Sequence, residues 1–356
     1  MLGLLFWRLV RTGLAVWVLA SVVFLLSRRD LGTAVDLALP DDSALSATSA
    51  AASPAAQRAA QLAVRRRLGL DRPLFYASRS SEPQHRWVQW RWNGPHNQYH
   101  RWMTQVFRGD FGVSFRTGEP VARRLREALK FTLPLTSVAA ALAVLAALAL
   151  AQRLAVRPWW QRPVRVALVA LHGLPLFVVA LLLLLLLANP ETMALFPAYG
   201  LDQSLEAETG TWSYLVSYAW HLVLPVAALT LSALPELTLQ LNAALAQELR
   251  TDYATTARAK GLAEGAVVRR HALRNALLPT LTQITELLPA LVAGALVVEV
   301  VFALPGMGRL LATAAATRDY PVLVGGVLLT GAARLLSLLL ADCLYFWADP
   351  RIRWHA

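Results

Sequence analysis

The sequence is short of cysteine, of lysine and of charge in general, and the first two shortages exclude specific kinds of site. The single cysteine, Cys343, excludes a disulfide framework and a cysteine-based metal site within one chain. Lysine occurs only at Lys130 and Lys260, and neither ends a glycine-rich phosphate loop that would bind ATP. Gly-x-Ser-x-Gly and His-Glu-x-x-His motifs are also missing. We therefore predict no catalytic residue, no metal site and no cofactor bound by this chain.

Charge is scarce because apolar residues dominate the composition. Charged residues make up 16% of the 356 residues, hydrophobic residues make up 56%, and the mean hydropathy is +0.46. Soluble domains carry about 25% charged residues, so the composition indicates a protein with several membrane spans. The net charge of +12 does not indicate nucleic acid, because the arginines fall in loops and no basic module interleaved with aromatic residues occurs.

Six apolar stretches are long enough to cross about 30 Å of hydrocarbon as helices. They lie at residues 1–27, 132–151, 166–188, 221–241, 280–303 and 321–347. The connection 153–165 is short and rich in arginine, which predicts a cytoplasmic loop, whereas the acidic connection 189–210 predicts a periplasmic one. Charged residues directly after the first stretch argue against a cleaved signal peptide. We expect an all-α polytopic membrane protein with six transmembrane helices and both termini in the cytoplasm.

A long segment between the first and second spans carries an unusual concentration of aromatic residues. Its tryptophans and histidines are Trp87, Trp90, Trp92, Trp102, His85, His96 and His100. Aromatic clusters of this kind are typical of a membrane interface or of a surface that binds a partner. No cysteine or carboxylate spacing supports a metal site among the histidines.

The most informative stretch is the polar, basic segment 249–279, which lies between two apolar stretches. It predicts a helix at 254–259, a break at Gly261 where a glycine readily adopts a left-handed conformation, and a second helix at 264–277. A flexible linker would be richer in glycine, serine and proline. Two helices around a glycine therefore indicate a docking element.

This segment reads DYATTARAKGL at 252–262 and RHALRNALLP at 270–279, and it resembles the cytoplasmic coupling loop of ABC-importer permeases of the dipeptide/oligopeptide branch. Other stretches resemble motifs of the same family: LGLDRP at 68–73, GDFGVSFRTGEPV at 109–121, VVEVVFALPGMGRLL at 297–311, RDYPV at 318–322 and DPRIR at 349–353. The chain departs from the broader superfamily at the head of the loop, where an acidic residue is missing and Thr255 and Thr256 lead into Ala257.

The resemblance implies a type I ABC importer permease fold whose coupling loop seats in a groove of a separate ATPase subunit. The residues that match the loop motif are Asp252, Tyr253, Ala257, Arg258, Ala259, Lys260, Gly261, Leu262, Arg274 and Asn275. It implies three parts of the chain: a first transmembrane helix at 1–28, a periplasmic segment with the Trp-rich insertion at 29–130, and a core permease domain at 131–356.

The resemblance also implies partners and a location. They are a homologous second permease subunit that forms a heterodimer, two ABC ATPase subunits that bind ATP and Mg, and a periplasmic solute-binding protein. The assembly would lie in the lipid bilayer of a bacterial inner membrane, and no nucleic acid would take part.

Ionisable residues within predicted spans cost about 2.5–3.5 kcal/mol each on insertion scales, so they are candidates for function. The candidates for a translocation path are Glu236, Glu286, Arg334 and Asp342. Arg334 and Asp342 lie eight residues apart, about 80° around a helix, so both are compatible with one helix face. Structural pairing with polar neighbours is the alternative, and it is the interpretation that we favour for Glu299 and Asp342.

The substrate and the type of transport remain open at this point. The resemblance implies import of di- or oligopeptides, but relatives of this branch also carry nickel complexes, antimicrobial peptides or glycosides, because the binding protein selects the substrate. A secondary transporter is a second alternative, although no paired inverted halves are recognisable in the sequence. A membrane receptor that binds through its Trp-rich segment is a third.

Overall fold

The computed structural model describes residues 2–29, 72–80, 89–197 and 211–348. The described part is mainly helical, which confirms the predicted fold class. The helices are α1 (Leu2–Arg29), α2 (Gln98–Phe107), α3 (Val121–Val156), α4 (Pro158–His172), α5 (Leu176–Leu187), α6 (Thr211–Glu248), α7 (Asp252–Ala259), α8 (Glu264–Val267), α9 (Leu273–Val301), α10 (Met307–Ala316) and α11 (Tyr320–Ala348). The motif residues 68–71 and 349–353 lie outside the described residues.

Four of these helices contain segments that are long and apolar enough to cross a membrane. The segments are Val121–Val156, Leu215–Glu248, Gln283–Val301 and Tyr320–Ser337, and a bent pair formed by Trp159–His172 and Leu176–Leu187 makes a fifth if it is one span. α1 contributes a shorter apolar helix, Leu9–Leu25. The protein is therefore a multi-pass membrane protein, while the count of six spans stays a prediction.

The third predicted span differs from the prediction, because α4 and α5 meet at an angle of 104°. Pro175 causes the break, since a proline disfavours helical backbone at the preceding residue and donates no backbone hydrogen bond. The connection predicted at 153–165 is helical, because only Arg157 separates α3 from α4, and its cytoplasmic location stays a prediction. Pro158 occupies the first turn of α4, where its missing N–H is not needed and its fixed φ favours helix.

The chain divides into two compact units, of which the larger comprises Met1–Leu14, Leu125–Thr313 and Thr330–Ala356. In it, α6 packs against α5 and α9, and α5 packs against α9. A stripe of α3, whose members recur every four residues, belongs to the same buried hydrophobic cluster. The stripe consists of Leu135, Ala139, Ala143 and Ala147, all buried. Residues four apart share one face of a helix, and alanine allows neighbouring helices to approach closely. The direct packing of α6 against α9 holds together the two helices that carry the coupling loop between them.

The second unit comprises Ala15–Arg124 and Ala314–Leu329 and includes the Trp-rich segment. Two short antiparallel strands, β1 (Ala77–Ser80) and β2 (Gln89–Trp92), pair with Ala77 opposite Trp92. Beside them, Phe24 of α1 lies in the centre of a ring cluster, with centroid distances of 5.7 Å to Phe75 and 5.2 Å to both Tyr99 and Trp102. These strands were not predicted from the sequence. His85 and Trp87 lie outside the described residues.

Two of the motifs on which the resemblance rests meet in this unit at the buried side chain of Asp319. Its carboxylate accepts a short hydrogen bond from the Ser114 hydroxyl and a 3.1 Å bond from the backbone N–H of Phe115. A guanidinium nitrogen of Arg124 lies 3.5 Å from the same carboxylate. Buried charges need partners of this kind, so Ser114 and Asp319 tie two distant stretches of the chain together.

Candidate functional site

The segment 249–279 folds as a helix, a glycine turn and a second helix, in agreement with the sequence. α6 ends at Glu248, and α7 occupies Asp252–Ala259. Gly261 has a φ of +78°, a conformation that costs glycine little and strains other residues. α8 then continues through one π-helical stretch, Val268–Ala272, directly into α9. The loop is therefore a folded element that a short turn, 249–251, joins to α6 and that continues as helix into α9.

The inner face of the loop is a small hydrophobic core of its own. Ala254 and Ala257 of α7 are buried against Val267 of α8. Leu249, Tyr253 and Leu262 are partly buried and pack against the same core. Ala257 and Leu262, which match the family motif, therefore hold the two short helices together and do not form the exposed face.

An ion pair joins the two helices across the glycine turn. The Arg258 guanidinium donates to both carboxylate oxygens of Glu264, at 3.0 and 2.8 Å, and to the backbone oxygen of Leu249 at 3.0 Å. These hydrogen bonds lower the pKa of Glu264 below its ordinary value, although burial opposes the shift. A lowered pKa means that the pair stabilises the folded loop above the ordinary carboxyl pKa and is lost as pH falls through the lowered value. Both side chains are exposed, so the contribution is small.

A second polar contact, which the sequence analysis missed, closes the base of the loop. The Tyr253 hydroxyl donates to the carboxylate of Glu248 at the end of α6. The side-chain amide of Asn275 donates to the Tyr253 oxygen at 3.2 Å. Glu248 carries no sequence signal, because a single glutamate at the end of a helix is common and its partners lie 5 and 27 positions away. These contacts link α6, α7 and α9 at one point.

The outer face of the loop collects most of the remaining predicted coupling residues. The exposed ones among the predicted residues are Asp252, Arg258, Ala259, Lys260, Gly261, Arg274 and Asn275. Thr255 and Thr256 of α7 are also exposed. The exposed side chains of this short helix are small, hydroxyl or cationic apart from Asp252, and this chemistry suits an element that contacts a polar or acidic groove.

A separate cavity lies beside α6 and α9 and has a volume of about 230 Å3. Glu236 of α6 and Glu286 of α9 both line it, together with Ser232 and Gln283. The Gln283 amide donates to a carboxylate oxygen of Glu236 at 3.2 Å. The side-chain amide oxygen of Gln283, Oε1, is buried and has no hydrogen-bond partner among the described residues. The cavity therefore presents several acceptors to any ligand that brings donors.

The other two candidates for a translocation path are not in this cavity. Arg334 is exposed on α11 and does not line it. The side chain of Asp342 lies outside the described part of the structure. The structure thus brings together Glu236 and Glu286, which lie 50 positions apart in the sequence, and leaves Arg334 elsewhere.

The carboxyl group of Glu299 is buried and organises the turn between α9 and α10. Its oxygens accept hydrogen bonds from the Thr132 hydroxyl at 2.6 Å and from the backbone N–H groups of Gly308 at 2.7 Å and Arg309 at 3.2 Å. A Cβ built on Gly306 would lie 2.1 Å from the Glu299 carboxyl carbon. Position 306 therefore has no room for a side chain beside the Glu299 carboxyl group, and this agrees with a structural role for Glu299.

Comparison with known proteins adds independent information on the family. The model of the family described as "Binding-protein-dependent transport system inner membrane component" matches residues 139–354. The chain is 33% identical to an oligopeptide transport system permease protein of Bacillus subtilis over 260 residues, 72% of this chain and 80% of the relative. It is 32% identical to a probable D,D-dipeptide transport system permease protein of Escherichia coli over 305 residues, 81% of this chain and 83% of the relative.

Proposed function

The chain belongs to the family of binding-protein-dependent transport system inner membrane components, and from this membership we propose that it is the transmembrane permease subunit of an ATP-driven importer of di- or oligopeptides. Members of this family are transport subunits and not enzymes themselves. The observation that carries the proposal is the folded loop at 249–279, whose exposed helix joins two candidate spans. The names of the relatives, which are peptide permeases, support the substrate class.

In the proposed assembly, this chain pairs with a homologous permease subunit, and two ATPase subunits bind ATP and Mg. A periplasmic solute-binding protein delivers the substrate. Closure of the ATPase subunits around ATP pushes on α7, and the direct connection from the loop into α6 and α9 carries the movement into the membrane. The two permease subunits then rock to open the path alternately to each side.

The topology follows from the same proposal, with both termini and the loop in the cytoplasm of a cell with an inner membrane. Reporter fusions after Asp202 should report the periplasm, and fusions after Gly261 should report the cytoplasm. The reason is that short connections rich in arginine and lysine stay in the cytoplasm, whereas the connection 189–210 has neither residue. Alkaline phosphatase and green fluorescent protein activities measure the two locations. A cytoplasmic signal at Asp202 contradicts the proposed orientation.

Within the path, we assign the cavity between Glu236 and Glu286 to the cationic amino terminus of a peptide. The two carboxylates and the side-chain amide oxygen of Gln283 supply acceptors for the three donors of an ammonium group. Carboxylates inside spans are costly, which favours a role in transport.

Replacing both carboxylates with amides is expected to raise the apparent KM for a peptide about tenfold, which corresponds to a loss of about 1.4 kcal/mol of binding. The double variant Glu236→Gln/Glu286→Gln removes the charge and keeps the shape of the site. Uptake into proteoliposomes should be compared for a free peptide and its N-acetylated form. The substitution should affect only the free peptide. An equal effect on both forms, or no effect, contradicts the assignment.

A further inference from the structure

A groove with a cationic rim lies beside the coupling loop, apart from the cavity assigned to the substrate. Its volume is about 590 Å3. Three arginines line it: Arg153 near the end of α3, Arg157 between α3 and α4, and Arg269 in the π-helical stretch after α8. Among the described residues, no carboxylate lies within 4 Å of any of the three. The groove therefore carries positive charge that the described part of the chain does not neutralise.

Apart from Gln152, the rest of the lining is apolar or aromatic. Ala149, Leu150 and Val156 of α3 and the ring of Trp160 form part of it. Trp160 lies edge to face with Trp159, at a centroid distance of 5.3 Å, and the Trp159 side chain is 72% exposed. Exposed tryptophans beside basic residues are typical of the level of the headgroups at a membrane surface.

An apolar stripe leads away from the arginines along α3. Val138, Leu142 and Leu145 are exposed, and with Ala149 they recur every three or four residues on one face that ends at Arg153. From residue 138 to residue 149 this face is about 16 Å long, at 1.5 Å per residue. Its length and chemistry match an acyl chain whose charged head lies at the arginines.

We propose that this groove binds the headgroup of an anionic phospholipid of the inner leaflet, with an acyl chain along the exposed face of α3. Arginine matches phosphate oxygens with a planar fork of donors, and basic pockets at the cytoplasmic ends of spans bind anionic headgroups. The proposal rests on the orientation proposed above, in which this end of α3 is cytoplasmic. Since Arg269 lies in the segment that carries the coupling helix, a bound lipid connects the membrane to the coupling loop.

The test measures lipid binding and does not depend on transport. The full chain, with the partners that copurify with it, is titrated by native mass spectrometry with phosphatidylglycerol and with phosphatidylcholine of the same acyl chains. Phosphatidylglycerol should bind at least tenfold more tightly. The variant Arg153→Gln/Arg157→Gln/Arg269→Gln should lose this preference, and Arg157→Gln alone, which changes one exposed side chain, should weaken it about threefold.

A matched control removes the same charge from neighbouring arginines that do not line the groove. Arg162→Gln/Arg165→Gln/Arg270→Gln should retain the preference for phosphatidylglycerol. Equal binding of the two lipids, or equal loss in both triple variants, overturns the proposal. Displacement of the lipid by millimolar inorganic phosphate would assign the groove to a soluble anion, and displacement by the ATPase subunit would assign it to that partner. Either result also overturns the proposal.

Discussion

A transporter that carries Gly261→Val is expected to assemble normally and to lose substrate uptake by at least tenfold. Gly261 has a φ of +78°, and a Cβ there would meet no atom within 4 Å. The penalty is therefore backbone strain, about 1–3 kcal/mol, and not a clash. The chain relieves this strain by rotating α7 relative to α8, which moves the exposed helix while the spans stay packed. ATP hydrolysis and uptake in proteoliposomes measure the effect.

Asparagine is the matched control at the same position, because it adopts the left-handed conformation more readily than other residues with a Cβ. Gly261→Asn should therefore keep most of the uptake. Removing the charge at Arg258 should have a smaller effect than the valine, since an exposed ion pair contributes little. A Gly261→Val transporter that assembles and transports at the normal rate excludes this loop as the coupling element.

The second large effect concerns stability and the turn between α9 and α10. Glu299→Ala leaves the N–H groups of Gly308 and Arg309 without an acceptor and leaves the Thr132 hydroxyl with only its long, 3.4 Å hydrogen bond to the Ala128 carbonyl. An unsatisfied buried donor costs about 1–3 kcal/mol, so the variant should lose about 3–5 kcal/mol of folding free energy. The apparent Tm of the purified chain in detergent should fall by about 10 °C.

Glu299→Gln separates the charge of this side chain from its shape. The single amide oxygen can still accept either from the Thr132 hydroxyl or from the N–H groups of Gly308 and Arg309, which donate to different oxygens of Glu299. The decrease in Tm should therefore be about half that of the alanine variant. Glu191→Ala, at an exposed residue, should leave the Tm within a degree or two. If Glu299→Ala unfolds at the same temperature as the unchanged chain, the carboxyl group does not hold this turn.

The coupling loop was predictable because its signals are local. A glycine after a short alanine-rich run predicts where α7 ends, and the positive φ of Gly261 agrees. The family resemblance added which residues belong to the loop. Neither the local sequence signals nor the family resemblance predicted which side of α7 is exposed. Ala257 matches the motif but is buried against Val267. Which side of α7 is buried depends on how α7 folds back onto α8, and the local sequence does not determine this.

Contacts between distant parts of the chain were the least predictable. Glu236 and Glu286 were recognised singly as charges in spans, but only the packing of α6 against α9 brings them to one cavity. The strands β1 and β2 have four residues each, too few for a periodic pattern to stand out. The break at Pro175 was not predicted because the stretch 166–188 is long and apolar enough for one helix, although His172 and Gly173 interrupt it.

The most direct test of the central claim is a crosslink from α7 to the ATPase subunit that copurifies with the chain. Because Cys343 is the only cysteine, a Cys343→Ser chain gives a clean background for single cysteines. A cysteine at the exposed position Thr256 should form a covalent adduct with that ATPase subunit through a short bifunctional reagent, whereas a cysteine at Ser213, at the opposite end of α6, should not. Absence of the adduct at Thr256 in an assembled, active complex, or equal adducts from both positions, would contradict the assignment of 249–279 as the coupling loop.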